Sequence, residues 1–229
     1  GNPPKGYRRG TEYSAEQINE ALRAETPEER QSLVPSEDIS GHGTSVLGIG
    51  AGNGRGSGGR FRGVAYEADM IVVKLGTPGE NTFPRTTEIM EGIDYCVRKA
   101  VELGKPVAVN LSFGNNYGAH NGNSLLENYL DVVSGVWKNV ICVGTGNEGF
   151  AGVHQTVTFV EGTETTVEIS VGEFQASTSL QLWKSYGDIV RIYIEEPGGT
   201  VAGPIGELSG TQRFSLGNTE LLVYYGTPT

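Results

Sequence analysis

The sequence predicts an α/β fold in which a parallel sheet flanked by helices is followed by an antiparallel β-sandwich. Between residues 70 and 143, apolar runs of strand length alternate with longer runs of helical periodicity, which is the pattern of βαβ units. Over residues 154–225, apolar residues instead alternate with polar ones, and turn signals separate roughly six short strands. We therefore expect three regions, at residues 1–37, 38–152 and 153–229.

Two capping boxes predict short helices near the beginning of the chain. Residues 14–17 read S-A-E-Q and predict a helix over residues 15–24. Residues 26–29 read T-P-E-E, with proline at the first helical position, and predict a helix over residues 27–33. Both helices are polar, so we expect this region to be a surface segment.

Two longer helices are predicted in the middle region. One begins at Thr86 or Thr87 and ends at Gly104, because glycine is favoured after the last helical turn. The other lies within residues 121–137 and carries Ser124 and Glu127 as a capping box. The apolar face of the first of these helices consists of Ile89, Ile93, Val97, Ala100 and Val101.

Three apolar runs predict buried parallel strands, at residues 70–75, 106–111 and 140–143. Near-continuous apolar character is typical of strands that are covered on both faces. The two cysteines, Cys96 in a helical pattern and Cys142 in a strand, have no metal-like spacing with the histidines. We interpret them as small buried hydrophobes, and a disulfide between them is not implied.

The net charge and the lengths of the apolar runs indicate which kinds of partner are disfavoured. Its formal net charge is −10 at pH 7, which disfavours binding to nucleic acid. No apolar run reaches the length of about 18 residues that a membrane-spanning helix needs. We therefore expect neither a nucleic-acid partner nor a membrane span.

The strongest functional signal is the run of residues 41–50, which reads G-H-G-T-S-V-L-G-I-G. Glycine on both sides of His42 allows other groups to approach the imidazole closely. Thr44 fits the start of a helix, which we expect to be buried through its apolar residues. A histidine held rigidly in the first turn of a buried helix has the placement that a general base needs.

Two further stretches place polar residues after predicted strands. Residues 107–114 read V-A-V-N-L-S-F-G, and residues 140–149 read V-I-C-V-G-T-G-N-E-G. Functional groups of parallel sheets gather beyond the carboxyl ends of the strands. Ser112 and Asn147 occupy that position, so both are candidate site residues.

These three stretches resemble motifs of the subtilisin-like serine proteases, the subtilases of peptidase family S8. Residues 41–49 resemble the family's histidine motif, G-H-G-T-x-V-x-G-I, and residues 107–114 resemble its N-x-S-x-G segment. Residues 140–149 resemble the strand and turn that present the asparagine of the oxyanion hole. The resemblance covers residues 38–150 and implies an incomplete subtilisin-like parallel sheet.

The resemblance implies a role for each matching residue. His42 would be the general base, and Asn147 would donate its side-chain amide to the oxyanion. The backbone of Ser112 and Gly114 would bind the substrate strand, and Phe113 would form a wall of the P1 pocket. The implied substrate is a peptide or protein, and neither a cofactor nor a metal is implied.

A polar loop over residues 76–85 occupies the position at which the family has an edge strand that pairs with substrate. Gly79 and Asn81 are the substrate-binding candidates in this loop.

Two parts of the family's Asp–His–Ser triad are missing from the sequence. No D-T-G or D-S-G turn precedes His42, and no G-T-S-x-A run follows it. Asp38, Asp69 and Asp94 are rejected as the acid because none lies in a turn after a strand, and Ser45 is interpreted as a small helix residue. We therefore expect a fragment of a larger endopeptidase, inactive as an isolated chain.

The layout also resembles a bacterial branch of the family that includes the clostridial Csp germination proteases. This resemblance implies that residues 1–37 are an inserted segment and that residues 153–229 are an inserted β-sandwich of jelly-roll type. It also implies a bacterial protein that is secreted or associated with spores. Because a partial domain exposes sheet edges, we expect association with the remainder of its own protease chain or self-association.

Two alternative functions stand beside this interpretation. Some members of the Csp-like branch lack triad residues, which makes a pseudoprotease or binding scaffold the second candidate. The glycine-rich run 48–59 weakly favours a nucleotide binder, but it lacks the preceding strand and the lysine of a P-loop. Calcium binding in the loop of residues 53–63 is disfavoured because three arginines oppose a cation there.

Overall fold

The structure is a computed structural model that describes residues 2–76, 84–112, 114, 116–207 and 210–225. The chain divides into two units, Gly1–Lys74 and Leu75–Thr229, and each is described by itself. No helix in the described ranges is both long and apolar enough to cross a membrane.

The first unit begins with the two predicted short helices, α1 (Ala15–Arg23) and α2 (Pro27–Leu33). The hydroxyl of Ser14 accepts a hydrogen bond from the Gln17 backbone at 3.3 Å, and that of Thr26 accepts one from the Glu29 backbone at 3.2 Å. In return, the side-chain oxygens of Gln17 and Glu29 accept hydrogen bonds from the backbone amides of Ser14 and Thr26. Both predicted capping boxes are therefore confirmed. Each satisfies backbone N–H groups at a helix start that would otherwise be unpaired.

The third helix, α3 (His42–Ala51), starts at the predicted histidine but is not buried. Ile49 on this helix is 74% exposed. The prediction of a buried helix is therefore wrong for the described structure. Along its last turn, residues 63–65 donate backbone hydrogen bonds to the carbonyl groups of residues 49, 50 and 52.

The segment that follows α3 returns to the end of the helix. A single 3₁₀ turn, Arg55–Ser57, lies within the intervening loop. The Gly63 amide donates to the Gly52 carbonyl at 2.7 Å, and Gly63 itself is buried. A Cβ atom at Gly63 would lie 2.6 Å from the Gly52 nitrogen and 2.8 Å from the Gly48 oxygen, so the close approach requires glycine.

Residues 70–75 do not form the predicted strand. Met70 is 57% exposed and Val72 is 68% exposed. A strand forms only when a neighbouring backbone accepts and donates its hydrogen bonds, and no described residue pairs with this run. The apolar composition was therefore insufficient to specify a strand.

The second unit contains a helix–strand–helix–strand arrangement: α4 (Thr86–Leu103), β1 (Val107–Leu111), α5 (Leu125–Ser134) and β2 (Asn139–Val143). The two strands pair in parallel. These elements confirm the predicted helices and the strands at residues 106–111 and 140–143. Their buried core is formed by Ile89, Ile93, Val97, Val109 and Val133.

One residue of the predicted apolar face of α4 is misassigned. Val101 is 46% exposed, whereas Ile93 is only 3% exposed. On an α-helix, Val101 lies roughly 120° around the axis from Ile89, outside the stripe that packs on the sheet. The C-terminal end follows the prediction, because Gly104 adopts φ 66° after the last turn.

Among the described elements, helices cover one face of the two-stranded sheet and leave the other exposed. Val109 is buried and Ile141 packs beside it, whereas Val140 on the alternate face is 61% exposed. Successive side chains of a strand point to opposite faces, so the exposed set belongs to the uncovered face. Cys142 is also exposed, which contradicts its predicted burial. Cys96 packs against the core, and burial raises the pKa of its thiol to about 11.

The C-terminal part of the second unit contains two antiparallel hairpins. The first joins β3 (Ile192–Glu195) to β4 (Val201–Ile205), and the second joins β5 (Gly210–Leu216) to β6 (Thr219–Tyr225). Leu216 pairs with Thr219 across a two-residue turn.

The predicted six-stranded sandwich is not confirmed. The fourth of its alternating runs, at residues 189–194, overlaps β3, and the last two pair with each other as β5 and β6. No strand is present among residues 153–190. Alternation indicates which face of a strand would be apolar, whereas pairing depends on a partner strand. β4 was not predicted at all.

Candidate functional site

His42 is the first residue of α3, and its side chain is exposed. Its backbone amide donates a hydrogen bond to the Ser40 hydroxyl at 3.2 Å. The Ser45 hydroxyl donates to the Gly41 carbonyl at 2.9 Å, within the helix start itself. These bonds hold the backbone on both sides of the histidine, while the imidazole remains accessible to solvent.

The N-terminus of α3 is capped by Asp38 rather than by a residue adjacent to the helix. Gly41 occupies the cap position and has no side chain to accept a hydrogen bond. Asp38 Oδ2 instead accepts from the Thr44 amide at 2.8 Å and from the Thr44 hydroxyl at 2.7 Å. Asp38 Oδ1 accepts from the Gly41 amide at 3.0 Å and from the Ser40 hydroxyl at 3.3 Å. A carboxylate at this end also complements the helix dipole.

These hydrogen bonds lower the pKa of Asp38 to about 2, and the bond from the Thr44 side chain is the largest cause. The carboxylate is therefore charged throughout the neutral and mildly acidic range. Both of its oxygens are occupied by donors at the start of α3. Our prediction assigned the helix start to Thr44 alone and did not identify Asp38 as the cap.

In the second unit, the pairing of β1 and β2 brings two of the predicted site segments to one edge of the sheet. The Gly144 amide donates to the Leu111 carbonyl at 3.1 Å, which continues the parallel pairing beyond the end of β2. Ser112 directly follows Leu111, and its hydroxyl accepts a hydrogen bond from the Asn110 side chain at 2.9 Å. Gly114 lies two residues further along and is exposed.

Asn147 lies in the turn that follows β2 at the same edge. The preceding residue, Gly146, has φ 87°, and Asn147 itself is exposed. No described residue forms a hydrogen bond with its carboxamide, so the group remains available to a ligand. The next residue, Glu148, accepts a hydrogen bond from the Asn116 side chain at 2.6 Å. Sequence reasoning did not single out Asn116 or Glu148.

Three predicted substrate-binding residues, Gly79, Asn81 and Phe113, lie outside the described residues. His42 belongs to the first unit and Asn147 to the second, and each is described within its own unit. Among the described residues there is no group of three or more histidine, cysteine, aspartate or glutamate side chains that could hold a metal ion.

Comparison with known proteins places these features in a family. The model of the Subtilase family matches residues 10–227. The serine protease AprX of Bacillus subtilis (strain 168) is 32% identical over 127 residues, which cover 52% of this chain and 27% of AprX.

A solved structure, that of the Clostridium perfringens CspB protease, is similar with a TM-score of 0.65 and 28% sequence identity. The similarity covers 93% of this chain and 44% of the CspB chain. The chain therefore spans less than half the length of each of these two relatives. Because the family match extends over nearly the whole sequence, this protein belongs to the subtilase family, as its three motifs predicted.

Proposed function

We propose that this chain is part of a subtilisin-like serine endopeptidase, in which His42 is the general base and Asn147 is a donor of the oxyanion hole. The observation that carries the proposal is the position of His42. It occupies the first helical residue of a subtilase histidine motif, its backbone is fixed by hydrogen bonds, and its side chain is accessible. A general base requires this combination of rigidity and access.

In the proposed reaction, His42 accepts the proton of a serine hydroxyl as that oxygen attacks the peptide carbonyl, and later returns it to the leaving amine. Asn147 donates a hydrogen bond to the oxyanion that forms on the carbonyl oxygen. Ser112 and Gly114, at the same sheet edge as Asn147, bind the backbone of the substrate. The serine and the aspartate of the triad come from polypeptide outside these 229 residues.

We further propose that the regions over residues 1–37, 38–152 and 153–229 are a surface insertion, the catalytic part and a β-rich module of jelly-roll type. The two antiparallel hairpins in the last region support this assignment. We expect limited proteolysis of the full-length protein to cut near the boundary at residue 152 before it cuts within α4 or α5.

A fluorophosphonate probe, which labels an activated serine, tests the proposed activity. We expect no labelling of the 229-residue chain, and rapid labelling of the full-length gene product. The variant His42→Ala should lower kcat by a factor on the order of 10⁶, because the base and the nucleophile act as a unit. The variant Asn147→Ala should lower kcat by about 10²–10³, the effect measured for loss of this donor in a subtilisin.

The variant Asn218→Ala, in the turn between β5 and β6, is the matched control and should retain full activity. Labelling of the isolated chain would contradict the proposal that the triad serine lies outside these 229 residues. A full-length protein that binds peptides but is never labelled would favour the pseudoprotease or binding scaffold.

A further inference from the structure

The turns that follow β1 and β2 are joined by side chains outside the strand pairing. Asn116, in the turn after β1, donates its amide hydrogen to Glu148 Oε2 at 2.6 Å. Glu148 follows Asn147 directly in the turn after β2. The backbone amide of Gly144 also donates to the Leu111 carbonyl between the same two chain segments.

Two histidines extend the junction. The His120 Nε2 atom lies 3.2 Å from the Asn116 carbonyl oxygen, so Nε2–H can donate a hydrogen bond to it. The His120 ring also stacks on the His154 ring, with the centroids 5.1 Å apart and the planes 24° apart. His120 and Asn116 belong to the turn after β1, whereas His154 and Glu148 belong to the segment after β2. We call these four residues the edge clamp.

The turn that carries Asn147 needs such support. It is flanked by Gly146 and Gly149, which restrict the backbone least of all residues, and the Asn147 side chain has no described hydrogen-bond partner. A hydrogen bond to a carboxylate is stronger than one between neutral groups. Through this hydrogen bond, the turn after β1 restrains Glu148, the residue that immediately follows Asn147 in the turn after β2.

We propose that Asn116 and Glu148, supported by the stacked His120 and His154, are positioning residues that fix the carboxamide of Asn147. The proposal rests on the proposed function insofar as that carboxamide binds an oxyanion. Such a donor must lie within hydrogen-bond distance of the developing charge before the reaction begins, so a loose turn lowers the rate without changing which groups are present.

The first test needs no catalytic activity. In the 229-residue chain, ¹⁵N relaxation should give the backbone of residues 146–149 an order parameter near that of rigid backbone, about 0.85. In Asn116→Asp, two carboxylates face each other, and the value should fall below about 0.6. In Asn116→Asp combined with Glu148→Gln, the new amide can donate to the new carboxylate, and the value should be restored.

The variant Glu220→Gln, which removes the charge from the exposed Arg213–Glu220 pair on β5 and β6, is the control and should leave residues 146–149 unchanged. Unchanged order in Asn116→Asp, or the lack of rescue by Glu148→Gln, would overturn the clamp whether or not the protein is a protease.

The second test uses the full-length gene product. Asn116→Asp should lower kcat roughly tenfold with little change in KM, and adding Glu148→Gln should recover most of the loss. A comparable rise in KM, or an unchanged kcat, would overturn the positioning role. If relaxation confirms the clamp while the unaltered full-length protein hydrolyses nothing, the proposed function fails and the clamp remains as a structural element.

Discussion

The carboxylate of Asp38 supplies the cap that Gly41 cannot give to α3. It accepts hydrogen bonds from four donors on three residues, and these residues lie on both sides of His42. Lys74 adds a hydrogen bond to the carbonyl group of Glu37, the residue before this aspartate. The position of the candidate base therefore depends on the carboxylate of Asp38.

The lowered pKa of Asp38 gives a pH dependence with a definite sign. Because its folded pKa is about 2 and its ordinary value is 3.8, the stabilising contribution is complete above about pH 4 and is lost as the pH falls through 2. We expect the amide resonances of Gly41 and Thr44 to shift with a midpoint near pH 2.

The matched variant Asp38→Asn should abolish this titration, because the carboxamide does not ionise in that range. It should also raise the mobility of the first turn of α3. A midpoint near pH 4 in the unaltered chain would show that the carboxylate is not held by these donors.

The sequence marks the candidate site residues more clearly than it marks the residues that hold them in place. His42, Ser112 and Asn147 stand out because they occur in long motifs at helix starts and strand ends. Asp38 and Glu148 did not, because a polar side chain can bond to many neighbours and only the folded backbone selects one. The bond from Asn116 to Glu148, for example, joins residues that are 32 positions apart.

At the scale of elements, α4 anchors the second unit through one apolar stripe. Ile93 lies at the centre of that stripe, 3% exposed, between the helix and the sheet. We expect Ile93→Ala to reduce the free energy of unfolding by about 2–5 kcal/mol, because it removes buried methyl groups and leaves a cavity. Urea titration followed by far-UV circular dichroism would measure this loss.

The companion variant is Val101→Ala, on the exposed side of the same helix. It should change the free energy of unfolding by less than about 0.5 kcal/mol, since exposed positions lose little when shortened. Similar losses in the two variants would mean that the assignment of the buried face is wrong.

Helices were predictable because their signals are local. The capping boxes of α1, α2 and α5 each lie within four consecutive residues, and each forms the predicted hydrogen bonds. Strands were less predictable because pairing is not local. The runs at 70–75 and 166–171 have suitable composition but no described partner, whereas β5 and β6 pair across a turn of two residues.

At the scale of the whole molecule, exposed apolar side chains coexist with a high negative charge. Val140, on the uncovered sheet face, is 61% exposed, and Phe174 and Ile189 are exposed at 96% and 92%. Apolar surface of this kind favours association, whereas the net charge of −10 opposes it. Added salt screens the repulsion but not the apolar attraction.

We therefore expect the isolated chain to self-associate in a concentration-dependent manner, and more strongly in 1 M than in 0.05 M sodium chloride, where the Debye length is about 3 Å rather than more than 10 Å. Sedimentation velocity would measure the change. Val140→Lys should weaken association, whereas Asn19→Lys, which makes the same change of charge at an exposed polar position of α1, should not. A monomer at every salt concentration would contradict the prediction.

The return of residues 63–65 to the last turn of α3 has a consequence for protein engineering. Three backbone hydrogen bonds, from residues 63–65 to the carbonyl groups of residues 49, 50 and 52, hold the two ends of the loop over residues 53–62 together. The residues in the middle of the loop take no part in these bonds. Doubling the length of a closed loop costs only about 0.6 kcal/mol of chain entropy. A guest peptide or fluorescent tag inserted beside Gly58 should therefore be tolerated. The same insertion at Gly63 should break the backbone hydrogen bonds that join residues 63–65 to α3.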